Sequence, residues 1–343
     1  MEKKKMILDL DTGIDDALAI AYAAGRTDIE LLGITSVFGN VTADRAAENS
    51  LDILALLGRE DVPVYQGEGA PLGEETYAPA AISRQIHGEN GVGEIRLAPS
   101  GRKTETESGV DFLIRSIMTL GKELTIVATG PLTNLAAVFR RCPQAAGQLG
   151  KLVIMGGAVT VPGNVCPWAE ANILGDPAAA KTVFESGADI VLVGLDVTMR
   201  TLLTRKETAQ MRAWGTETGE KLADMTEFYL KAYERLAPWM GGCAIHDPLA
   251  VGIAADPSLA ETFSTYLTAE TEGPLRGRTI GRQELLRTPG GNTAVCLNVD
   301  AERYLKGFME AVGRSAKAPE MNGPERGADA GAPAEGSAGK DNL

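Results

Sequence analysis

Asp9, Asp11, Asp15 and Asp16 stand within one short run, Ile7-Leu8-Asp9-Leu10-Asp11-Thr12-Gly13-Ile14-Asp15-Asp16. Two like charges about 4 Å apart repel by roughly 4 kcal/mol at an effective dielectric near 20, so this grouping demands bound protons or a cation. Neither Cys nor His interrupts it, and an all-oxygen donor set suits Ca²⁺ or Mg²⁺ better than Zn²⁺. The competing reading makes Asp15 or Asp16 a helix N-cap and Asp9 a solvated strand end.

Other residues with chemical capacity lie far along the chain. There are two histidines, His87 in a Gly-rich irregular stretch between about Pro71 and Pro99, and His246 in His246-Asp247-Pro248. A lone histidine is commonly structural. Asp247 before a proline and an apolar run reads as an N-cap with proline at N1, a role compatible with holding a cation; Asp176-Pro177 reads as a cap alone. Asn164, Glu170 and Asn172 follow Met155-Gly156-Gly157; such a loop suits a hydroxyl-rich ligand or simply forms turns. Tyr229 and Tyr233, four apart in a long helical region from Lys206 to Arg235, share a face that packs in the core or walls a ligand.

The elements that must position these residues follow from hydrophobic spacing. Met6-Ile7-Leu8 reads as a buried strand, and Ala17 to Ala24 as a helix closed by Gly25. Asp9 and Asp11 then share a strand face, while Asp15 and Asp16 occupy a first helical turn whose free N–H groups favour negative charge. Strands over 29–37, 124–128, 152–155 and 190–195 alternate with helices over 42–57 and 132–141. This predicts an α/β fold with an open, mostly parallel central sheet flanked by helices, a Rossmann-like core whose ligand binds at the carboxyl ends of the strands. Phe38-Gly39-Asn40, Thr129-Gly130-Pro131 and Met155-Gly156-Gly157 fall at such ends. One domain over 1–314 is expected, with a disordered, low-complexity tail rich in Ala, Gly, Pro, Glu and Ser over 315–343.

The chain of 343 residues carries a formal net charge of −13 with no basic run, which opposes binding to nucleic acid or an anionic membrane. Four scattered cysteines without a Cys-x-x-Cys pair predict reduced thiols. With no apolar leader after the opening lysines and no span of bilayer length, the expected location is cytoplasmic.

Taken in order, Asp9-x-Asp11-x-Gly13-x-Asp15-Asp16, Phe38-Gly39-Asn40, the run from Ala128 to Asn134, Met155-Gly156-Gly157, Glu170-x-Asn172 and His246-Asp247-Pro248 resemble the inosine-uridine-preferring nucleoside hydrolases. The agreement spans about Met6 to Val312. The resemblance implies hydrolysis of the N-glycosidic bond of ribonucleosides to ribose and free base in purine and pyrimidine salvage, with bound Ca²⁺, in a homodimer or homotetramer. It implies that Asp11, Asp16, Asp247 and the Thr129 carbonyl hold the metal, and that Asp11 is the general base toward the attacking water. Asp15, Asn40, Asn164, Glu170 and Asn172 would grip ribose above Met155, His246 would face the base as a catalytic group, and His87 would reach in from its loop. Glycosidic cleavage passes through an oxocarbenium-like transition state that carboxylates stabilise.

Ala171 departs from the family pattern, which often has a bulky aromatic there; Trp168 or Trp239 would supply that bulk. Two other readings compete. Asp9-Leu10-Asp11-Thr12 also resembles the first motif of haloacid-dehalogenase-type phosphatases, with Asp9 as nucleophile and Mg²⁺ as metal. A non-catalytic, calcium-dependent riboside-binding protein is the third.

Overall fold

The computed structural model of the chain describes residues 3–322. Its strands are β1 (Lys4–Leu10), β2 (Ile29–Ser36), β3 (Val64–Gln66), β4 (Leu124–Ala128), β5 (Lys151–Met155), β6 (Ile190–Val193), β7 (Leu202–Leu203), β8 (Cys243–Ala244), β9 (Ala260–Thr265), β10 (Leu267–Ala269), β11 (Thr279–Gly281) and β12 (Thr293–Val299). Eight of them form one sheet in the order β3-β2-β1-β4-β5-β6-β12-β9. Pairing is parallel throughout except for β9, which runs antiparallel to β12 at the edge.

Between them lie α1 (Ile14–Gly25), α2 (Ala43–Leu56), α3 (Ala81–His87), α4 (Gly109–Leu120), α5 (Thr133–Arg141), α6 (Gln144–Gln148), α7 (Ala171–Gly175), α8 (Pro177–Phe184), α9 (Leu195–Thr198), α10 (Arg205–Arg212), α11 (Glu217–Leu236), α12 (His246–Ala255) and α13 (Ala301–Asn322). None of the described helices is long and apolar enough to cross a membrane.

Alternation along β1 divides the core in two. Met6, Leu8 and Leu10 pack into one cluster with α1, α12 and α13, whereas Ile7 packs with residues of α4, α5 and α8 on the opposite face. The chain leaves β1 for β2 and β3 on one side and returns to β4 on the other. That reversal opens a crevice at the carboxyl end of β1, where parallel sheets bind ligands. Register places Asp9 opposite Thr35 and Ala128, so the turns after β1, β2 and β4 emerge together.

Three expectations need revision. The helical region from Lys206 to Arg235 is two helices, because Trp214-Gly215 interrupts it and Gly215 adopts φ +73°, a backbone conformation that a side chain disfavours. Asp247 is not an N-cap: Ile245 holds that position and Asp247 sits within the first turn of α12. The final helix runs to Asn322, past the expected start of the tail at Ser315. Packing rather than composition accounts for its continuation past Val312, since Ser315 and Ala316 are both buried. The remainder of the expected tail, 323–343, lies outside the described residues.

Helix α13 braces α1 from behind the site. Tyr22 meets Tyr304 edge-on at 6.0 Å between ring centroids and Phe308 at 5.4 Å. Phe308 is fully buried, and emptying such a position costs about 3–5 kcal/mol. Phe308→Ala should lower the unfolding free energy by that amount in a chemical denaturation curve.

Candidate active site

The turn from β1 into α1 is built around close approach. A Cβ on Gly13 would lie 2.6 Å from His87 Nδ1 and 2.8 Å from Asn40 Nδ2, so glycine lets three segments meet. The first-turn N–H groups of α1 find unusual acceptors. Gly13 N–H donates to Asp16 Oδ2 at 2.8 Å, and Ile14 N–H donates to His87 Nδ1 at 3.1 Å. Asp16 also accepts the Thr129 hydroxyl at 2.7 Å, tying the β4 turn to the helix. Asp11 receives Asn40 N–H at 2.7 Å and the Asn40 side-chain amide at 3.1 Å.

Asp247 arrives on α12 and completes the cluster. Carboxylate oxygens of Asp15, Asp16 and Asp247 all lie within 4.8 Å of one another. This trio differs from the expected ligand set: Asp15 belongs to it, Asp11 flanks it beside Asn40, and the Thr129 carbonyl accepts the Asn172 amide at 2.7 Å. Asp9 stands apart. Its Oδ1 accepts the Thr35 hydroxyl and the Asn134 amide, and the residue is buried away from the cavity. That placement removes the phosphatase reading, which needs Asp9 accessible as a nucleophile.

All five carboxyl groups are buried, and desolvation is the first cause in every case of a raised pKa. Asp9 rises to about 6 and Asp15 to about 7, the latter with repulsion from Asp16 added. Asp11 and Asp247 lie well above the ordinary carboxylate range, and Asp16 is also raised. Asp15 Oδ1 is buried without a hydrogen-bond partner. An oxygen-only, proton-hungry cluster with an orphaned carboxylate oxygen fits a hard divalent cation, which would replace the protons.

Above the cluster is a cavity of about 410 Å³. Its floor is polar, with Asp15, Asn40, Thr129, Asn172 and Asp247 beside Met155, and its rim is apolar, with Ile82, Ile86, Leu236, Trp239 and Met240. Asn164, Glu170, His87, His246, Tyr229 and Tyr233 also line it, so the structure assembles most of the residues singled out from sequence. Asp11 and Asp16 lie beneath the lining. Glu170 is partly committed elsewhere: it caps α7 and accepts N–H groups from Gly157, Asn172 and Ile173. Asn164 accepts Ala171 N–H at 3.1 Å. Of the two tryptophans considered beside Ala171, Trp239 lines the cavity and is 79% exposed, whereas the Trp168 indole turns to the Arg276 carbonyl.

Both histidines are buried and neutral at physiological pH. Burial pushes His87 down to about 3, with repulsion from His246 second, and His246 down to about 4. His87 is not in a loose loop but ends the short helix α3. Because its Nδ1 accepts Ile14 N–H, its proton sits on Nε2. His246 is held at both nitrogens, by Thr198 Oγ1 at 2.7 Å and Tyr233 Oη at 2.8 Å. Tyr229 continues inward, donating to Asp15 Oδ2 at 3.3 Å. Sequence reading missed Thr198 and the apolar rim. The position of Thr198 just beyond the carboxyl end of β6 was the available signal.

The family model described as inosine-uridine preferring nucleoside hydrolase matches residues 6–306. Uridine nucleosidase 1 of Arabidopsis thaliana is 36% identical over 310 residues, covering 88% of this chain and 91% of the relative. The pyrimidine-specific ribonucleoside hydrolase RihB of Escherichia coli is 36% identical over 306 residues, covering 89% and 95%. Among solved structures, the purine-preferring ribonucleoside hydrolase from Gardnerella vaginalis superposes with a TM-score of 0.91 at 48% identity, covering 92% of this chain and all of that one.

The buried acids set a pH dependence for the cation-free protein. Their folded pKa values exceed the unfolded value of 3.8, so the stability they contribute is full below that value. It is lost as pH rises through about 6 for Asp9 and about 7 for Asp15. Chelator-treated protein should therefore melt at a lower temperature at pH 8 than at pH 5, and Ca²⁺ should raise the melting temperature more at pH 8. Scanning calorimetry at the two pH values checks both signs.

Proposed function

The chain belongs to the inosine-uridine preferring nucleoside hydrolases and is an N-glycosyl hydrolase; from that premise we propose that it cleaves ribonucleosides to ribose and free base in a Ca²⁺-dependent reaction. The observation that carries this reading is the cavity's polarity: a floor of buried carboxylates and amides under an apolar, tryptophan-bearing rim. A ribonucleoside has the same asymmetry, a polyhydroxylated sugar joined to a flat aromatic base.

In this reading Asp16 and Asp247 would hold the ion, with Asp11, Asp15 and the Thr129 carbonyl as the further oxygen donors available to it. When bound, Ca²⁺ would supply Lewis acidity toward a water and toward neighbouring ribose hydroxyls. Asp11 takes the proton from the attacking water. The two hydrogen bonds from Asn40 fix its orientation toward that water. Asp15, Asn40, Asn164 and Asn172 hold ribose hydroxyls, with Glu170 contributing whatever acceptor capacity its capping bonds leave. The negative floor stabilises positive charge as it grows on the sugar. His246, paired at Nε2 with Tyr233 Oη, presents a hydrogen-bond donor to the departing base through that hydroxyl, beside His87 and Tyr229. Trp239 offers a stacking face to either class of base. A homodimer or homotetramer belongs to the same reading and is checked by light scattering.

Two results test this. Base release from inosine, uridine, cytidine and adenosine should stop on chelation and spare 2′-deoxyuridine, and tight binding without turnover would instead support a riboside-binding protein. Asp11→Ala should fold normally yet lose at least about 10²-fold in kcat; activity within about tenfold of wild type would remove Asp11 as the base.

A further inference from the structure

We propose that Thr198 is a positioning residue whose hydroxyl determines which nitrogen of His246 carries a proton toward the cavity. The proposal rests on the reading of His246 as the group facing the departing base.

Thr198 ends α9 and is fully buried. Its hydroxyl lies 2.7 Å from His246 Nδ1 and has no other hydrogen-bond partner among the described residues. The hydroxyl has one hydrogen to place, and a buried donor left unpaired costs about 1–3 kcal/mol. If Nδ1 carried the proton, it would donate to Oγ1 and leave the hydroxyl hydrogen without an acceptor. If Nδ1 is bare, the hydroxyl donates to it and both groups are satisfied; Tyr233 Oη faces the same choice at Nε2, but it is only half-buried and lines the cavity, where water or a ligand can take its hydrogen, so the fully buried Thr198 decides the tautomer. The second arrangement places the imidazole proton on Nε2, the nitrogen beside Tyr233 Oη at 2.8 Å and the cavity.

The fold gives Thr198 little freedom to move. Asp196, two residues earlier, accepts N–H groups from Val159 and Thr160 at 3.1 and 2.7 Å, and Leu195 N–H donates to the Gly157 carbonyl at 2.9 Å. On the other side, the Thr201 hydroxyl donates to the Thr198 carbonyl at 3.0 Å, and Ile245 N–H donates to the Thr201 carbonyl at 3.0 Å. One short segment therefore fixes the loop after β5, the threonine and the backbone that delivers His246. The consequence is chemical. With Nε2–H donating to Tyr233 Oη, the Tyr233 hydroxyl hydrogen is left to face the cavity, so a purine or pyrimidine leaving group, which exposes acceptor nitrogens and carbonyl oxygens, meets a donor; a bare Nε2 would instead draw that hydrogen back to the imidazole. His87 reaches the same state by a different route, through Ile14 N–H on its Nδ1.

The test combines a tautomer readout with leaving-group dependence. In long-range ¹H–¹⁵N spectra of the full chain, only two imidazoles contribute, and His87→Ala assigns them. Wild-type His246 should show a bare Nδ1 and a protonated Nε2, and Thr198→Val should lose that pattern. The same valine variant should drop about tenfold or more in kcat on inosine with KM within about twofold, and leave p-nitrophenyl riboside, whose leaving group needs no donor, unaffected. Thr198→Ser should restore both spectrum and rate. A protonated Nδ1 in wild type, equal losses on both substrates, or a serine variant as impaired as valine would each overturn the proposal. His246→Ala sparing inosine would instead sink the reading of His246 on which it rests. A wild type inactive toward every riboside would sink the hydrolase reading while the spectrum still decides the tautomer.

Discussion

Mutual repulsion among buried carboxylates is the constraint around which the molecule is arranged. Asp11, Asp15, Asp16 and Asp247 are removed from water at the point where the sheet reverses its strand order. Nothing in an apolar core explains such a concentration of like charge. The surrounding structure supplies donors where it can: Asn40 to Asp11, Gly13 N–H and Thr129 to Asp16, Tyr229 to Asp15. These contacts orient the oxygens without neutralising them, which leaves a site with high affinity for protons or for a hard cation.

The rest of the cavity complements that charge. Both histidines are kept neutral, so neither forms a permanent ion pair with the acids. An apolar rim above a polar floor would, in the proposed reading, strengthen electrostatic contacts with a bound sugar by displacing water when the site is filled. Tyr233 joins the two regions, touching His246 by its hydroxyl and Tyr229 by its ring at 5.0 Å. In the proposed reading, sugar recognition and activation of the departing base would share this wall.

Much of this was legible in the sequence because the relevant signals are local. Four aspartates at a strand-to-helix turn, and asparagines or glycines at later strand ends, announce a parallel sheet and the edge at which its ligand binds. What stayed hidden depends on tertiary neighbours. Thr198 is an ordinary threonine until the fold places His246 beside it. Glu170 lies in a loop that reads as suited to a hydroxyl-rich ligand, yet three backbone N–H groups occupy its carboxylate. Likewise Ser315 begins a stretch of tail-like composition, yet it and Ala316 are buried within the last helix. The choice between Trp168 and Trp239 required the direction of each indole, which sequence does not encode.

In the proposed reading, the carboxylate cluster exchanges its protons for a calcium ion. That exchange is tested most directly by titrating Ca²⁺ into chelator-stripped protein at pH 6 in two buffers of different ionisation enthalpy. The account predicts one ion per chain, a buffer-dependent heat reporting net proton release, and return of inosine cleavage in step with occupancy. Full activity in the stripped protein, or calcium binding without proton release, would contradict it.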